Sequence, residues 1–255
     1  MKYTFQSHAA VTSECIVQSI SNFSTTGHLL GDGQRNKIKI FTCNGVEVAI
    51  KSFKKPNWIN QVVYRFFRES KAQRSYKFAT ILQQRNIGTP TPIAFWEEYA
   101  GLGLQQSYYA CEHLPCDLTF RELVEIPDYP EHALILEQFM HFCFDLHEKG
   151  VEFLDHSPGN TLIVKTAPGH YQFYLVDLNR MQFHEEMGFD MRMKNLSRLT
   201  PKPEMVAQMS QFYAQKYTDK TAEEINALLW QYTDQFQKAF FRKKRIKQRL
   251  LFWKS

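Results

Sequence analysis

Residues 151–179 read VEFLDHSPGNTLIVKTAPGHYQFYLVDLN, and no other stretch of the chain points so clearly to chemistry. Asp155 stands five positions before Asn160, and the Ser-Pro-Gly between them predicts a tight loop. Two apolar runs follow, TLIV and FYLV, and the second ends on Asp177. Taken singly, these residues would also fit an ordinary loop with capping side chains and a turn after a strand. Together they predict oxygen ligands for a metal ion and a group that orients an acceptor hydroxyl.

A lysine far upstream is an independent sign of the same chemistry. Lys51 lies near the end of the apolar run VEVAIKSF, where a solvated lysine at the edge of a strand is the alternative interpretation. The tetrapeptide VAIK is typical of a strand that places its lysine on the phosphates of a nucleotide. Such a lysine needs a carboxylate partner. Glu69, the only acidic residue between Lys51 and Glu97, is the candidate, although it would also fit a solvated charge on a helix.

The predicted elements are strand-rich first and helical afterwards. Residues 37–53 alternate in polarity and break at Asn44-Gly45, a dipeptide typical of hairpins. Residues 58–84 contain neither Gly nor Pro, so they predict one long helix or two consecutive helices. The other predictions are strands at 14–22, 92–100 and 105–114, a glycine-bearing loop at 27–36, helices at 117–126 and 130–149, a two-strand insert at 161–177, and mainly helices after 190.

This order predicts an α+β fold of two lobes. A small antiparallel β-rich N-lobe would take up residues 1–113 and bind the nucleotide. A larger helical C-lobe would take up residues 114–255 and hold the catalytic loop, the metal site, the substrate site and a basic C-terminal helix. The chain of 255 residues, 44% of them hydrophobic, is long enough to give either one large core or two small ones.

The bulk composition excludes several other classes of protein. The chain has no signal-peptide pattern at its start and no run of about 18 apolar residues, so we expect a cytoplasmic protein that does not span a membrane. Five cysteines without a CxxC pair predict reduced thiols rather than a disulfide framework or a zinc site. These cysteines are Cys15, Cys43, Cys111, Cys116 and Cys143.

Three motifs carry a resemblance to a known superfamily. VAIK at 48–51, DHSPGN at 155–160 and VDLN at 176–179 resemble the corresponding motifs of the protein-kinase-like superfamily. The closest likeness is to the bacterial lipopolysaccharide kinases of the Kdo/heptose kinase family, which NKIKIF, SKAQRSY and GTPTPIAFWEE also resemble. The likeness covers about residues 25–185. It implies a kinase that uses ATP and Mg²⁺ to phosphorylate a sugar of the lipopolysaccharide inner core, at the cytoplasmic face of the inner membrane.

The resemblance also implies roles for particular residues. Asp155 would be the catalytic base, and Lys51, held by Glu69, would bind phosphate. Asn160 and Asp177 would bind the metal. The remaining nucleotide contacts would come from the glycine-bearing loop and from the segment that links the two lobes, at Gly31, Gly33, Glu112 and Leu114.

The chain departs from the superfamily pattern in ways that narrow its function. Gly27, Gly31 and Gly33 do not spell GxGxxG, and Phe153-Leu154 stands where His-Arg is usual. DFG is replaced by Asp-Leu-Asn, and no activation segment is visible. These departures argue against a protein kinase and favour a small-molecule kinase. Two alternatives remain: a kinase of a metabolite or an aminoglycoside, and a catalytically dead scaffold.

The net charge of +5 is mostly a property of the C-terminal tail. Since residues 238–255 hold eight basic groups and no acid, the rest of the chain carries a net charge of −3. Aromatic and aliphatic residues alternate with the basic ones, which predicts an amphipathic helix suited to an anionic membrane surface. Nucleic acid is the competing and less favoured partner. We therefore expect a lipid-linked sugar or another small-molecule acceptor, and peripheral contact with the inner membrane.

Overall fold

The computed structural model describes residues 1–6, 10–31, 36–101 and 103–252, leaving out the side chains of 247 and 249–252. The chain divides into two compact units. The first unit comprises Met1–Pro115 together with Tyr174–Arg180, and the second comprises Cys116–Phe173 together with Met181–Ser255.

The first unit is built on a six-stranded antiparallel sheet in the order β1-β5-β6-β4-β3-β2. The hairpin predicted at Asn44-Gly45 is confirmed, because both residues adopt positive φ angles, of 50° and 83°, between β3 and β4. The predicted strands at 92–100 and 105–114 are confirmed as β5 and β6. The sheet also includes two strands that the sequence did not predict, β1 and β2. The strands are β1 (Lys2–Phe5), β2 (His28–Leu30), β3 (Lys37–Cys43), β4 (Val46–Ser52), β5 (Pro92–Ala100) and β6 (Gly103–Glu112).

Three helices complete the first unit: α1 (Ser13–Ser21), α2 (Trp58–Phe66) and α3 (Lys71–Gln84). The strand predicted at 14–22 is wrong, because this segment forms α1. The hydroxyl of Thr12 accepts a hydrogen bond from the backbone of Cys15, and the helix buries Ile16 and Ile20, four residues apart. The long helical segment is two consecutive helices, since Ser70 caps the start of α3 through a bond from the Gln73 amide.

A disulfide between Cys15 and Cys43 corrects the prediction that all five thiols are reduced. The two cysteines are 28 residues apart in sequence, but α1 and β3 bring their Cα atoms to 5.9 Å, within disulfide range. Spacing along the chain cannot show such proximity. The other three cysteines are free, and burial raises the pKa of Cys111 to about 12.

The second unit has a large helical core. The aromatic ring of Phe139 packs there against those of Phe120 and Phe173, and Phe153 is also fully buried. The helices predicted at 130–149 and after 190 are confirmed, as is the two-strand insert. The elements are β7 (Leu118–Thr119), α4 (Phe120–Glu125), α5 (His132–Glu148), β8 (Val151–Phe153), β9 (Thr161–Ala167), β10 (His170–Leu175), β11 (Met181–Phe183), α6 (Phe189–Leu196), α7 (Pro203–Ala214) and α8 (Ala222–Phe252).

Two local features of the second unit differ from the prediction. The helix predicted at 117–126 begins only at Phe120, because a capping box between Thr119 and Glu122 fixes its start and the two preceding residues pair as β7. In addition, β8 pairs with β11, which the sequence did not predict. Among the described residues, no helix is both long and apolar enough to cross a membrane.

Candidate active site

Lys51 lies on a central strand of the first unit. It belongs to β4, which has β3 on one side and β6 on the other, and it is level with Ile38 and Tyr109. Val48 and Ile50 are fully buried, so the alternation of β4 sends Lys51 to the opposite face. There its ammonium lies 5.4 Å from the centre of the Phe53 ring.

The ammonium of Lys51 forms an ion pair with Asp177. The Nζ–Oδ1 distance is 2.7 Å, although 126 residues separate the two in sequence. The Lys51 side chain is only 14% exposed and that of Asp177 39%, so this is not a pair on the open surface. The alternative interpretation of Lys51 as a solvated lysine at the edge of a strand is therefore wrong.

The segment that carries Asp177 is anchored by backbone and side-chain hydrogen bonds. The amide of Leu175 donates to the carbonyl of Gly88 at 2.8 Å, and its carbonyl accepts from the hydroxyl of Thr89 at 2.9 Å. Asp177 itself has a φ of 59°, a left-handed conformation that is uncommon outside glycine. The Asn179 amide donates to the same Oδ1 at 2.7 Å. Lys51 and Asn179 thus hold one carboxylate oxygen between them.

The predicted pairing of Lys51 with Glu69 is not observed. Glu69 was expected on a helix, but the helical segment breaks between α2 and α3 and Glu69 lies in that break. Its carboxylate accepts from Lys77 at 3.1 Å and from Gln73 at 3.4 Å. Since α3 contains no acidic residue, that helix supplies no substitute partner for Lys51.

The predicted nucleotide-binding backbone is only partly described. Gly31 follows β2 with a φ of 78°, and a Cβ atom added there would meet nothing within 4 Å. Gly33 lies outside the described residues. At the end of β6, the amide of Glu112 donates to Thr91 at 2.9 Å. For Leu114, no backbone hydrogen bond of the amide is found within the described ranges.

In the second unit, one local hydrogen bond ties Asn160 to the predicted base. A 3₁₀ turn at Pro158–Asn160 follows β8, and the Asn160 side-chain amide donates to the carbonyl of Asp155 at 2.8 Å. Because this bond uses the amide nitrogen, the side-chain oxygen is the atom left to act as a ligand. This turn confirms the tight loop predicted from Ser-Pro-Gly.

Arg198 is a contact of the predicted base that sequence reasoning missed. Its Nη1 donates to the carbonyl of Leu154 at 2.6 Å and lies 3.3 Å from Oδ1 of Asp155. The guanidinium also lies 4.9 Å from the centre of the Phe236 ring. No motif marks this arginine, which is 43 residues after Asp155. Arg198 orients the carboxylate and places a positive charge beside it.

Two histidines near the predicted base are buried packing residues. The ring of His156 lies against Phe139 and Phe153, and burial lowers its pKa to about 4. His147 donates from Nε2 to Asn195 at 3.2 Å and accepts at Nδ1 from the Tyr213 hydroxyl at 2.8 Å. Burial lowers the pKa of His147 to about 3, so both rings are neutral at pH 7.

The predicted metal ligands fit Mg²⁺ by their chemistry. Asp177 offers a carboxylate and Asn160 an amide oxygen, and Mg²⁺ is commonly held by one or two such groups plus substrate phosphates. Among the described residues, no group of three or more His, Cys, Asp or Glu side chains is placed to hold a metal ion.

Comparison with known proteins identifies the fold. No protein-family model matches the chain, and no curated protein sequence does. A solved structure described as WaaP in complex with acyl carrier protein matches with a TM-score of 0.62 at 13% sequence identity, covering 94% of this chain and 99% of that chain. At this identity the likeness shows the fold alone. The predicted fold class, an N-terminal antiparallel sheet followed by a helical part in a protein-kinase-like fold, is confirmed.

Proposed function

We propose that the protein is an ATP-dependent phosphotransferase that acts on an alcohol group. The observation that carries the proposal is the ion pair of Lys51 with Asp177, at 2.7 Å across 126 residues. A lysine for phosphate and an aspartate for metal are the two charges that phosphoryl transfer needs around the donor. The kinase-like fold supports the same conclusion.

The residues divide the work as follows. Lys51 would neutralise phosphate charge, and Asp177 and the side-chain oxygen of Asn160 would each offer an oxygen ligand to the metal. ATP with its Mg²⁺ supplies the phosphoryl group and much of the charge neutralisation at its oxygens. Asp155 accepts the proton of the acceptor hydroxyl, and Arg198 orients that carboxylate. Catalysis would rest mostly on positioning and electrostatics, because phosphoryl transfer leaves the protein little covalent chemistry to do.

The acceptor we favour is a sugar of the lipopolysaccharide inner core, Kdo or heptose. The support is the resemblance of the three motifs to the Kdo/heptose kinase family, together with the fold shared with WaaP. The lack of a visible activation segment favours a small acceptor over a protein.

The test is direct phosphorylation. Purified protein is incubated with ATP, Mg²⁺ and either Kdo-lipid A or core oligosaccharide, and the product is detected by mass spectrometry. We expect a mass gain of one phosphate that is absent with Asp155→Ala. Equal product from the two proteins, or none from either, would overturn the assignment of this acceptor.

A kinase of another small molecule is the nearest alternative. An acceptor screen of aminoglycosides and cellular hydroxyl metabolites by mass spectrometry separates the two readings. If such a compound is phosphorylated faster than the core sugar, the proposed acceptor is wrong but the proposed phosphotransferase activity stands.

One observation favours a scaffold without activity: Glu69 bonds Lys77 and Gln73 rather than Lys51. A thermal-shift titration with ATP and Mg²⁺ discriminates, because a ligand that binds the folded state raises the melting temperature. The melting temperature of an active enzyme should rise at millimolar nucleotide, and that of a scaffold without a nucleotide site should not.

We further propose that residues 238–255 touch an anionic membrane surface, which would place the protein peripherally on the inner membrane. Within α8, the side chains from Lys238 to Ile246 are exposed, including Phe240 and Phe241. Exposed aromatic rings among cations suit a lipid headgroup region. Reversing the charge of these cations and measuring vesicle binding tests this contact.

A further inference from the structure

Helix α2 turns its polar side towards the sheet of the first unit. The side-chain oxygen of Gln61 accepts a hydrogen bond from Gln105 on β6 at 3.1 Å. One turn later, Arg65 donates to the carbonyl of Gly101 at 2.7 Å and lies 5.4 Å from the centre of the Tyr99 ring. Because Gln61 and Arg65 are four residues apart, they lie on one side of the helix. The sheet of the first unit therefore receives the hydrophilic face of α2.

The other sides of α2 carry large apolar side chains that are exposed. Trp58 is 76% exposed, Ile59 53%, Phe66 56% and Phe67, which directly follows the helix, 82%. No residue of α2 is buried. A surface helix normally turns its apolar face to the core, so this arrangement is inverted. Large apolar side chains grouped on a surface mark a contact with a partner or a membrane.

The protein surface next to these apolar side chains is basic. A cavity of about 210 Å³ at the start of α2 is lined by Lys54, Lys55 and Lys71, together with Tyr64 and uncharged residues. None of its lining residues is acidic. The sequence from residue 52 to residue 68 contains four cations and no acid. The first carboxylate beyond it, at Glu69, is already bonded to Lys77.

We propose that α2 and these three lysines form a second membrane-binding surface, which docks on anionic phospholipid. Trp58, Ile59, Phe66 and Phe67, here called the α2 apolar face, enter the boundary between headgroups and acyl chains, where aromatic rings are favoured. The lysine cavity takes lipid phosphate, and the surrounding cations are attracted by the negative surface potential. The surroundings of these aromatic residues are mostly basic, and the nearby Glu69 is already bonded to Lys77, which favours a lipid surface over a protein partner. The proposal does not depend on phosphotransfer, because no residue of the candidate active site belongs to this surface.

Vesicle co-sedimentation of the full chain tests the proposal. We expect binding to vesicles of equal parts phosphatidylglycerol and phosphatidylcholine, and at least tenfold weaker binding to phosphatidylcholine alone. Serine at the α2 apolar face, or glutamate at the lysine cavity, should each weaken binding to the anionic vesicles at least tenfold. The variants are W58S/I59S/F66S/F67S and K54E/K55E/K71E.

Matched controls on exposed residues of the same types should bind as the wild type does. Leu29 and Leu30 are exposed leucines of the first unit, and Lys37, Lys194 and Lys216 are exposed lysines. The control variants are L29S/L30S and K37E/K194E/K216E. Since all substituted side chains of the α2 apolar face are exposed, its variant should keep the wild-type melting temperature.

Fluorescence locates the contact on the helix itself. In a Trp253→Phe background, Trp58 is the one highly exposed tryptophan, because Trp96 is buried and Trp230 half-buried. Lipids brominated on their acyl chains should quench this protein, and Trp58→Phe should remove most of the quenching.

Three results would overturn the proposal. The first is unchanged vesicle binding by both α2 variants, with loss only when the cations at 242–245 are reversed, which would assign all membrane contact to the tail. The second is quenching that survives Trp58→Phe. The third is absence of vesicle binding by the wild type while an acidic protein, such as acyl carrier protein, binds through the α2 apolar face.

Discussion

Each unit holds its own group of candidate site residues, and the two groups are built in opposite ways. In the first unit, Lys51 and Asp177 meet across 126 residues, and their contact depends on a formed sheet and on the anchored segment at 174–180. In the second, Asp155 and Asn160 are five residues apart, and one tight turn with one local hydrogen bond fixes them. The geometry of Asp155 and Asn160 therefore depends mainly on the few residues of their own turn. The contact of Lys51 with Asp177 forms only when the sheet and the segment at 174–180 are both folded.

The largest expected effect falls on the local part. Asp155→Asn keeps the shape of the loop but removes the proposed proton acceptor, so phosphoryl transfer should slow by about 10²–10⁴-fold. Its melting temperature should stay close to that of the wild type, because the turn is held by backbone atoms and Asn160. Steady-state rates with the identified acceptor check this. The exposed Asp145→Asn is the control, and a rate loss of similar size there would contradict the role of Asp155.

The second prediction concerns the buried histidines of the second unit. Burial lowers the pKa of His156 to about 4 and that of His147 to about 3, so the unfolded chain binds more protons below pH 6.5. The free energy of unfolding should be pH-independent from these groups above pH 6.5. It should fall as the pH drops from 6.5 towards 4, by up to about 1.4 kcal/mol per pH unit for each histidine.

Urea titrations at a series of pH values check the slope. His156→Leu should flatten it by about half, because the ring packs among apolar residues and the leucine does not titrate. A slope that is the same in His156→Leu as in the wild type would contradict the assignment to buried rings.

The fold and the site were unequally predictable from sequence. The hairpin at Asn44-Gly45 and the alternation of β4 are local signals, and they predict the strand on which Lys51 lies. The segment of α1 was misassigned because its β-branched residues outweighed the cap at Thr12. The Cys15–Cys43 disulfide and the contact of Arg198 with Asp155 arise from chain segments that meet only in the folded state, so no spacing could predict them. The same reason explains Glu69: its partner was chosen by distance along a helix that the structure breaks.

The third prediction compares a glycine in each unit. Gly27 has a φ of 80°, and an added Cβ would lie 2.6 Å from the Phe41 ring, so Gly27→Ala should lower the free energy of unfolding by about 1–3 kcal/mol. Gly159 lies in the turn at Pro158–Asn160, where a Cβ would meet only the tip of the flexible Arg121 side chain at 2.7 Å. Gly159→Ala should cost about 0.5 kcal/mol or less. Denaturant melts compare the two, and equal losses would show that the local turn is as constrained as the sheet.

The smallest expected effect is the coupling within the ion pair itself. A double-mutant cycle with Lys51→Met and Asp177→Asn should give a coupling energy of about 1–2 kcal/mol, since both groups are partly buried and hydrogen-bonded. The pair of Lys77 with Glu69, more exposed at the lysine, serves as the reference and should give about 0.5 kcal/mol or less. Equal coupling energies for the two pairs would show that the contact of Lys51 with Asp177 is no stronger than an ion pair on the surface.

Calorimetric titration of ATP with Mg²⁺ into three proteins tests the central claim most directly. The wild type should bind, Lys51→Met should lose at least tenfold in affinity, and Asp155→Asn should bind like the wild type, since Asp155 serves the acceptor and not the nucleotide. Unchanged affinity in Lys51→Met, or no binding by the wild type at millimolar nucleotide, would contradict the assignment of Lys51 and Asp177 to an ATP–Mg²⁺ site.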